Sequence, residues 1–183
     1  MSLAYSAMLP LGAALPEFTL LDGEGNPFSL SGLAGQKGLL VVFICNHCPY
    51  VLHINPALAP LGKELAEQGV GMVAISSNDI SRYPEDAPER MVEFARGNGY
   101  TFPYLYDADQ NAAKAFHAAC TPDLFLFDAD LNLVYRGRFD ATRPNQGVLA
   151  TGADLKHAVA TMVAGKPPLA QQLPSAGCSI KWR

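Results

Sequence analysis

Cys45-Asn46-His47-Cys48 sets two sulfurs three positions apart, directly after the apolar run from Leu39 to Ile44 and directly before Pro49. An apolar, β-branched run of that length predicts a buried strand. Proline suits the first position of a helix, because its missing N–H would have no intrahelical partner there. Cys48 is then the N-cap. Its sulfur would face unpaired backbone N–H groups and the positive end of the helix dipole, and both favour thiolate over thiol. The chemistry this predicts is thiol–disulfide exchange, in which Cys48 attacks or is attacked and a second cysteine resolves the mixed disulfide.

Three other cysteines compete for the resolving role. Cys45 is the nearest, since a CxxC can close a disulfide when the chain turns suitably. Cys178 follows Gly177 in a polar tail that could fold back over the site, and Cys120 precedes Thr121-Pro122. The spacing leaves all three open. His47 either tunes the thiolate or is a solvated side chain. A zinc site would need two ligands beyond the CxxC, and His47, His53, Cys120 and Cys178 show no second paired spacing. No metal or other cofactor is therefore expected. Asp107, Asp109, Asp128 and Asp130 read as turn and cap residues, and Trp182 as packing that anchors the tail.

The elements that must position the sulfurs follow from pattern. Residues 16–30 form a hairpin around the turn-rich cluster Asp22 to Asn26. After the strand at 39–44 comes a helix from Pro49 to about Gln68, stopped by Gly69 and kinked or split by Pro56 and Pro60. Val70–Ser76 is a second buried strand, and Asn78 to Pro88 is a surface loop. Glu89 to Asn98 is an amphipathic helix with Met91, Val92, Phe94 and Ala95 on its apolar face, and Asp109 to Ala119 is a short helix. Leu124–Phe127 and Leu133–Arg136 make a second hairpin, and Gly152 to Ala164 is the last helix. Residues 166–183 are a C-terminal tail. This order gives an α/β protein with a mixed central sheet and helices on both faces.

The 183 residues suit a single domain, residues 1–183, with enough chain to bury a core unaided. Apolar residues make up 49% and charged residues 16%, and the net charge is −4. Those values exclude a disordered chain and offer no electrostatic footprint for nucleic acid. No signal peptide and no membrane-spanning run is read, so a cytoplasmic location is expected. There, four cysteines are more consistent with catalysis or metal binding than with a structural disulfide framework.

Three blocks, PEFTLLDGEGNPFSLSGLAG, VVFICNHCPYV and FPYLYDADQNAAKAFHAACTPDLFLFDADLNLVYRGRFD, resemble the thioredoxin-fold redoxin group in its peroxiredoxin-like, AhpC/TSA-like branch. Together they cover most of residues 15–165. The resemblance implies a thioredoxin-like fold with an N-terminal β-hairpin. It implies a cis bond at Thr121-Pro122 beside the reactive cysteine, which would bring Cys120 close as well. Thr121, Pro122, His47 and Pro49 would then be the substrate contacts. In this group the nucleophile lies five residues after the strand phenylalanine, which counts from Phe43 to Cys48. The His47-Cys48 pair also resembles the ending of the protein disulfide isomerase motif, a comparison that makes Cys48 the second cysteine. Val42 stands where thioredoxins carry a buried acid, and Cys45 where peroxiredoxins carry the threonine of Pro-x-x-x-Thr-x-x-Cys.

The expectation is a thiol–disulfide oxidoreductase using Cys48, with Cys45 or Cys178 resolving. Its partners would be protein or small-molecule disulfides and a cellular thiol reductant, with no nucleic acid and no membrane. A peroxiredoxin-like thiol peroxidase acting on peroxides is the first alternative, and a non-catalytic redox-sensing module is the second.

Overall fold

The strand that leads into the CxxC, β4 (Gly38–Phe43), is buried along its whole length. Alternate residues of a strand point to opposite faces, and here the two faces feed two cores. Leu40, Val42 and the following Ile44 pack with Val51, Leu58 and Leu155. Leu39, Val41 and Phe43 pack with Leu20, Ala113 and Phe116 on the other side. The computed structural model describes residues 2–183.

Antiparallel to β4 lies β8 (Asp123–Asp128), followed by β9 (Leu133–Gly137). On the other side Ile44 N–H donates to the Ile75 carbonyl at 2.9 Å, which joins β4 to β5 (Val70–Ser76). Beyond β5 the sheet continues through β6 (Tyr104–Tyr106), β2 (Thr19–Asp22) and β3 (Pro27–Ser29). The β5–β6 pair is parallel, and β4 and β5 run the same way, with Lys37 N–H on the Gly69 carbonyl at one end and Ile44 N–H on the Ile75 carbonyl at the other; the remaining ladders are antiparallel, so the sheet is mixed. Four helices cover it. Buried residues of α1 (Pro49–Glu67), α2 (Pro88–Gly97) and α4 (Ala153–Val163) belong to the first core, and those of α3 (Asn111–Ala115) to the second. Among the described residues, no helix is long and apolar enough to cross a membrane.

A second, smaller sheet packs against α1. In it β10 (Ala176–Ser179) lies between β1 (Leu3–Tyr5) and β7 (Cys120–Thr121), antiparallel to both. The tail thus carries a strand that pattern reading did not predict. Gly177 sits so close to the Thr121 carbonyl that a Cβ there would strike it. Its lack of a side chain is what lets β10 approach β7.

Several expectations change. α1 is one continuous helix, neither split nor ended at its prolines. Pro56 and Pro60 lie on its exposed face, where water can meet the carbonyls they leave unpaired. The segment from Asn78 to Pro88 is not a surface loop throughout, because Asn78, Asp79 and Asp86 are buried. It is fixed from two sides: Asp86 accepts from the CxxC loop, and Asn78 Oδ1 accepts the Lys181 N–H at 2.9 Å. Trp182 is 40% exposed and does not anchor the tail. That work falls to the backbone of Lys181, whose carbonyl accepts from Asp79 N–H and Gln110 Nε2. The short strands β1 and β6 were also unforeseen.

Candidate active site

Cys48 is the N-cap of α1, in extended backbone geometry, and Pro49 is the first helical residue. The strand ends where β4 leaves the sheet, so the CxxC crosses the gap between sheet and helix. Thr121 faces it across a cis peptide bond to Pro122. The protonated Cys48 Sγ donates to the Thr121 carbonyl at 3.2 Å, and Cys45 Sγ lies 3.6 Å from Thr121 Oγ1. In the ladder Cys178 is the direct partner of Thr121. The strand carrying the cis proline therefore brings Cys45, Cys48 and Cys178 to one place. Cys120, next along β7, directs its thiol to the Pro122 carbonyl at 3.6 Å. No disulfide joins the four cysteines, and all four are buried.

Their protons are held very unequally. The Cys45 thiol, hydrogen-bonded to Cys48, lowers the Cys48 pKa to about 5. Burial opposes this, and the Cys178 thiol, Thr121 and the Val51 amide add to the lowering. The donors show the reverse effect. Cys45 is raised strongly, first by holding its proton toward Cys48 and then by burial. Cys178 is pushed up to about 12, by burial first and then by Cys48. Cys120 is raised by burial. One sulfur in the cluster is built to be a thiolate and its neighbours are built to stay protonated. These are opposite ends of one set of hydrogen bonds.

The loop that carries the sulfurs is tied down by groups from a distant part of the chain. Asp86 accepts the Asn46 backbone N–H at 2.8 Å and Asn78 Nδ2 at 2.8 Å. Asn46 in turn donates from Nδ2 to the Glu85 carbonyl and accepts from Tyr104 Oη. His47 is mostly withdrawn from solvent and faces a carboxylate. Its Nδ1 lies 2.9 Å from Asp86 Oδ2 and its ring stacks on Tyr83 with centroids 5.5 Å apart. The Asp86 carboxylate raises the His47 pKa, with burial opposing. Beside Pro122 a shallow cleft is lined by Tyr50, His53, Phe139, Thr142 and Ala176. Asp140 shapes its rim by accepting N–H groups of Thr142, Thr151 and Gly152.

Of the residues singled out in the sequence, Cys45, Cys48, Cys178, Thr121, Pro122 and Pro49 converge. His47 sits at the edge of this group, facing Asp86. Asp86, Asn46 and Asp140 were not foreseen. Asp86 lies forty residues from its partner in the CxxC loop, and no local spacing signals a contact of that kind.

A mixed sheet with helices on both faces, and a strand-to-helix CxxC opposite a cis proline, define a protein of thioredoxin-like fold. The AhpC/TSA family model matches residues 11–136, and the chain belongs to that family. The chain is 46% identical to an uncharacterized conserved protein from Geobacillus kaustophilus of known crystal structure. The two superpose with a TM-score of 0.96 over 100% of this chain and 97% of that one. It is 30% identical over 117 residues to the thiol-disulfide oxidoreductase ResA of Halalkalibacterium halodurans, covering 64% of this chain and 62% of that protein. It is 27% identical over 107 residues to a putative peroxiredoxin of Mycobacterium tuberculosis, covering 58% of this chain and 63% of that protein. The chain thus spans less than two thirds of the length of these curated relatives.

Proposed function

We propose that the chain is a thiol–disulfide oxidoreductase with Cys48 as nucleophile and Cys45 as first resolving thiol. The observation that carries this is the sulfur of the N-cap residue Cys48, set against Thr121 and with its pKa lowered to about 5 first by the Cys45 thiol. The Cys48 thiolate attacks a substrate disulfide, forms a Cys48–substrate bond, and expels one substrate sulfur as thiolate. Cys48 is then neutral and no longer draws the Cys45 proton toward itself, which removes the largest cause of the raised Cys45 pKa. Cys45 gives its proton to the departing thiolate and attacks Cys48. That closes a Cys45–Cys48 disulfide and releases the second substrate sulfur. A thiol reductant restores the dithiol. The cleft beside Pro122 would hold the chain on either side of the substrate sulfur. The named relative ResA, a thiol-disulfide oxidoreductase, supports the same class of reaction.

A second reading, thiol peroxidase, is favoured by one observation. Cys48 is fully buried, so a peroxide can reach it with less rearrangement than a protein disulfide. Cys48 would take one peroxide oxygen to become a sulfenic acid, releasing water or an alcohol, and a second thiol would condense with it and release water. Cys178 and Cys45 both neighbour the sulfur that would be oxidised.

Peptide mapping under non-reducing conditions separates these readings, after one equivalent of a small-molecule disulfide in one sample and of hydrogen peroxide in another. A Cys45–Cys48 bond formed faster by the disulfide is the expected result. A Cys48–Cys178 bond formed faster by peroxide would favour the peroxidase. Four unmodified thiols would contradict both.

A further inference from the structure

Cys45, His47 and Asp86 each offer a ligand atom, and the three atoms lie within 4.8 Å of one another. We propose that the reduced protein binds a borderline divalent cation, of which Zn2+ is the type, on Cys45 Sγ, His47 Nδ1 and the Asp86 carboxylate. A fourth position is left to water.

The donor set suits such an ion. Thiolate, imidazole and carboxylate are the three side-chain ligands zinc takes, at about 2.3 Å for sulfur and roughly 2.0–2.2 Å for nitrogen and oxygen. Donors at those distances in a tetrahedral shell stand roughly 3.2–3.7 Å from one another; Nδ1 and Oδ2, now 2.9 Å apart, would part by less than about 1 Å, and Cys45 Sγ already lies within 4.8 Å of a donor atom on each residue. Charge fits as well. A Cys45 thiolate and an Asp86 carboxylate balance a divalent cation with no net charge left in a buried place.

The imidazole is already aimed at the second ligand. Both ring nitrogens of His47 are buried, and Nδ1 faces Asp86 Oδ2 at 2.9 Å. A cation there would take the place of the proton that the Asp86 carboxylate holds on Nδ1.

The surroundings already hold the ligands in place, as supporting groups do around metal sites. Asn78 Nδ2 and the Asn46 N–H orient the carboxylate, and the Tyr83 ring lies flat against the imidazole. Binding displaces the Cys45 thiol proton and any proton on Nδ1. The sequence concealed this site because its third ligand is remote in the chain, and a CxxC with one histidine offers no second pair.

The test uses the full-length reduced chain carrying Cys48→Ser, so that chelation by two adjacent thiolates and disulfide formation are both absent. It is titrated with Zn2+ against a chromophoric chelator, and separately with Co2+ to read a thiolate-to-metal absorption band. The expected result is one ion per chain with the cobalt–thiolate band present. Adding Asp86→Asn should weaken Zn2+ binding by more than the roughly 10–100-fold that loss of a merely supporting group costs, and His47→Gln should do the same if the first variant fails to fold. Absence of stoichiometric binding in Cys48→Ser would overturn the proposal, as would affinity unchanged by both substitutions in folded protein. Neither result bears on Cys48 as nucleophile, because the titrated protein lacks it.

Discussion

Cys48→Ser is expected to lower disulfide-reductase turnover by roughly 10³-fold or more, since a hydroxyl neither exchanges with disulfides nor leaves from them. Cys45→Ser should behave differently. It removes the resolving thiol and leaves the nucleophile, so the first attack proceeds and a Cys48–substrate mixed disulfide accumulates, visible by mass spectrometry of the unreduced protein. Cys45→Ala, which leaves no donor at this position, also removes the hydrogen bond that most lowers the Cys48 pKa. The remaining Cys48 should therefore titrate higher than in the parent protein. Equal loss in the two serine variants, with no trapped adduct, would mean that Cys48 does not act first.

The second large effect concerns the redox potential. With a pKa near 5, Cys48 is about 99% thiolate at pH 7, against about 3% for an ordinary thiol near 8.5. That gain of roughly 30-fold in thiolate is cancelled in the attack rate, because nucleophilicity falls by a similar factor at a Brønsted slope of ~0.4–0.5. What survives is stabilisation of the reduced form by about 2–3 kcal/mol at pH 7. The dithiol–disulfide potential is therefore expected to be roughly 60 mV more oxidising than for the same pair with an ordinary thiol. Equilibration against a glutathione redox buffer reads it directly. The sign with pH follows from linkage. The unfolded chain binds the Cys48 proton up to about pH 9 and the folded chain releases it near 5. Reduced protein should gain stability relative to Cys48→Ser as pH rises between those limits, and lose that advantage as pH falls through 5.

The site was legible in the sequence wherever chemistry and local structure coincide. Pro49 marks the helix start, the run before Cys45 marks the strand, and the two together place Cys48 at the cap, where it is found. Thr121-Pro122 was legible through resemblance, and the bond is cis. The large elements were legible for the same reason: β5 and the β8–β9 hairpin have unbroken apolar or alternating patterns. The remainder depends on contacts between segments far apart in the chain. β1, β6 and β10 are three or four residues long, too short for a period to declare itself, and β10 is a strand only because β1 and β7 flank it. Asp86 lies in a polar segment that looks solvated until Asn46, Asn78 and His47 surround it. The prolines of α1 do not split it, since they lie on its exposed face, where water can meet the carbonyls they leave unpaired.

The most direct test is the pH dependence of Cys48 alkylation in the reduced protein, followed peptide by peptide with a small iodoacetamide reagent between pH 3 and pH 10. A rate that rises with a midpoint near 5 and is confined to Cys48, with Cys45, Cys120 and Cys178 unreactive until far higher pH, is the result expected of a thiolate held by its neighbouring thiols. A Cys48 midpoint above 8, or first reaction at Cys45, would contradict it.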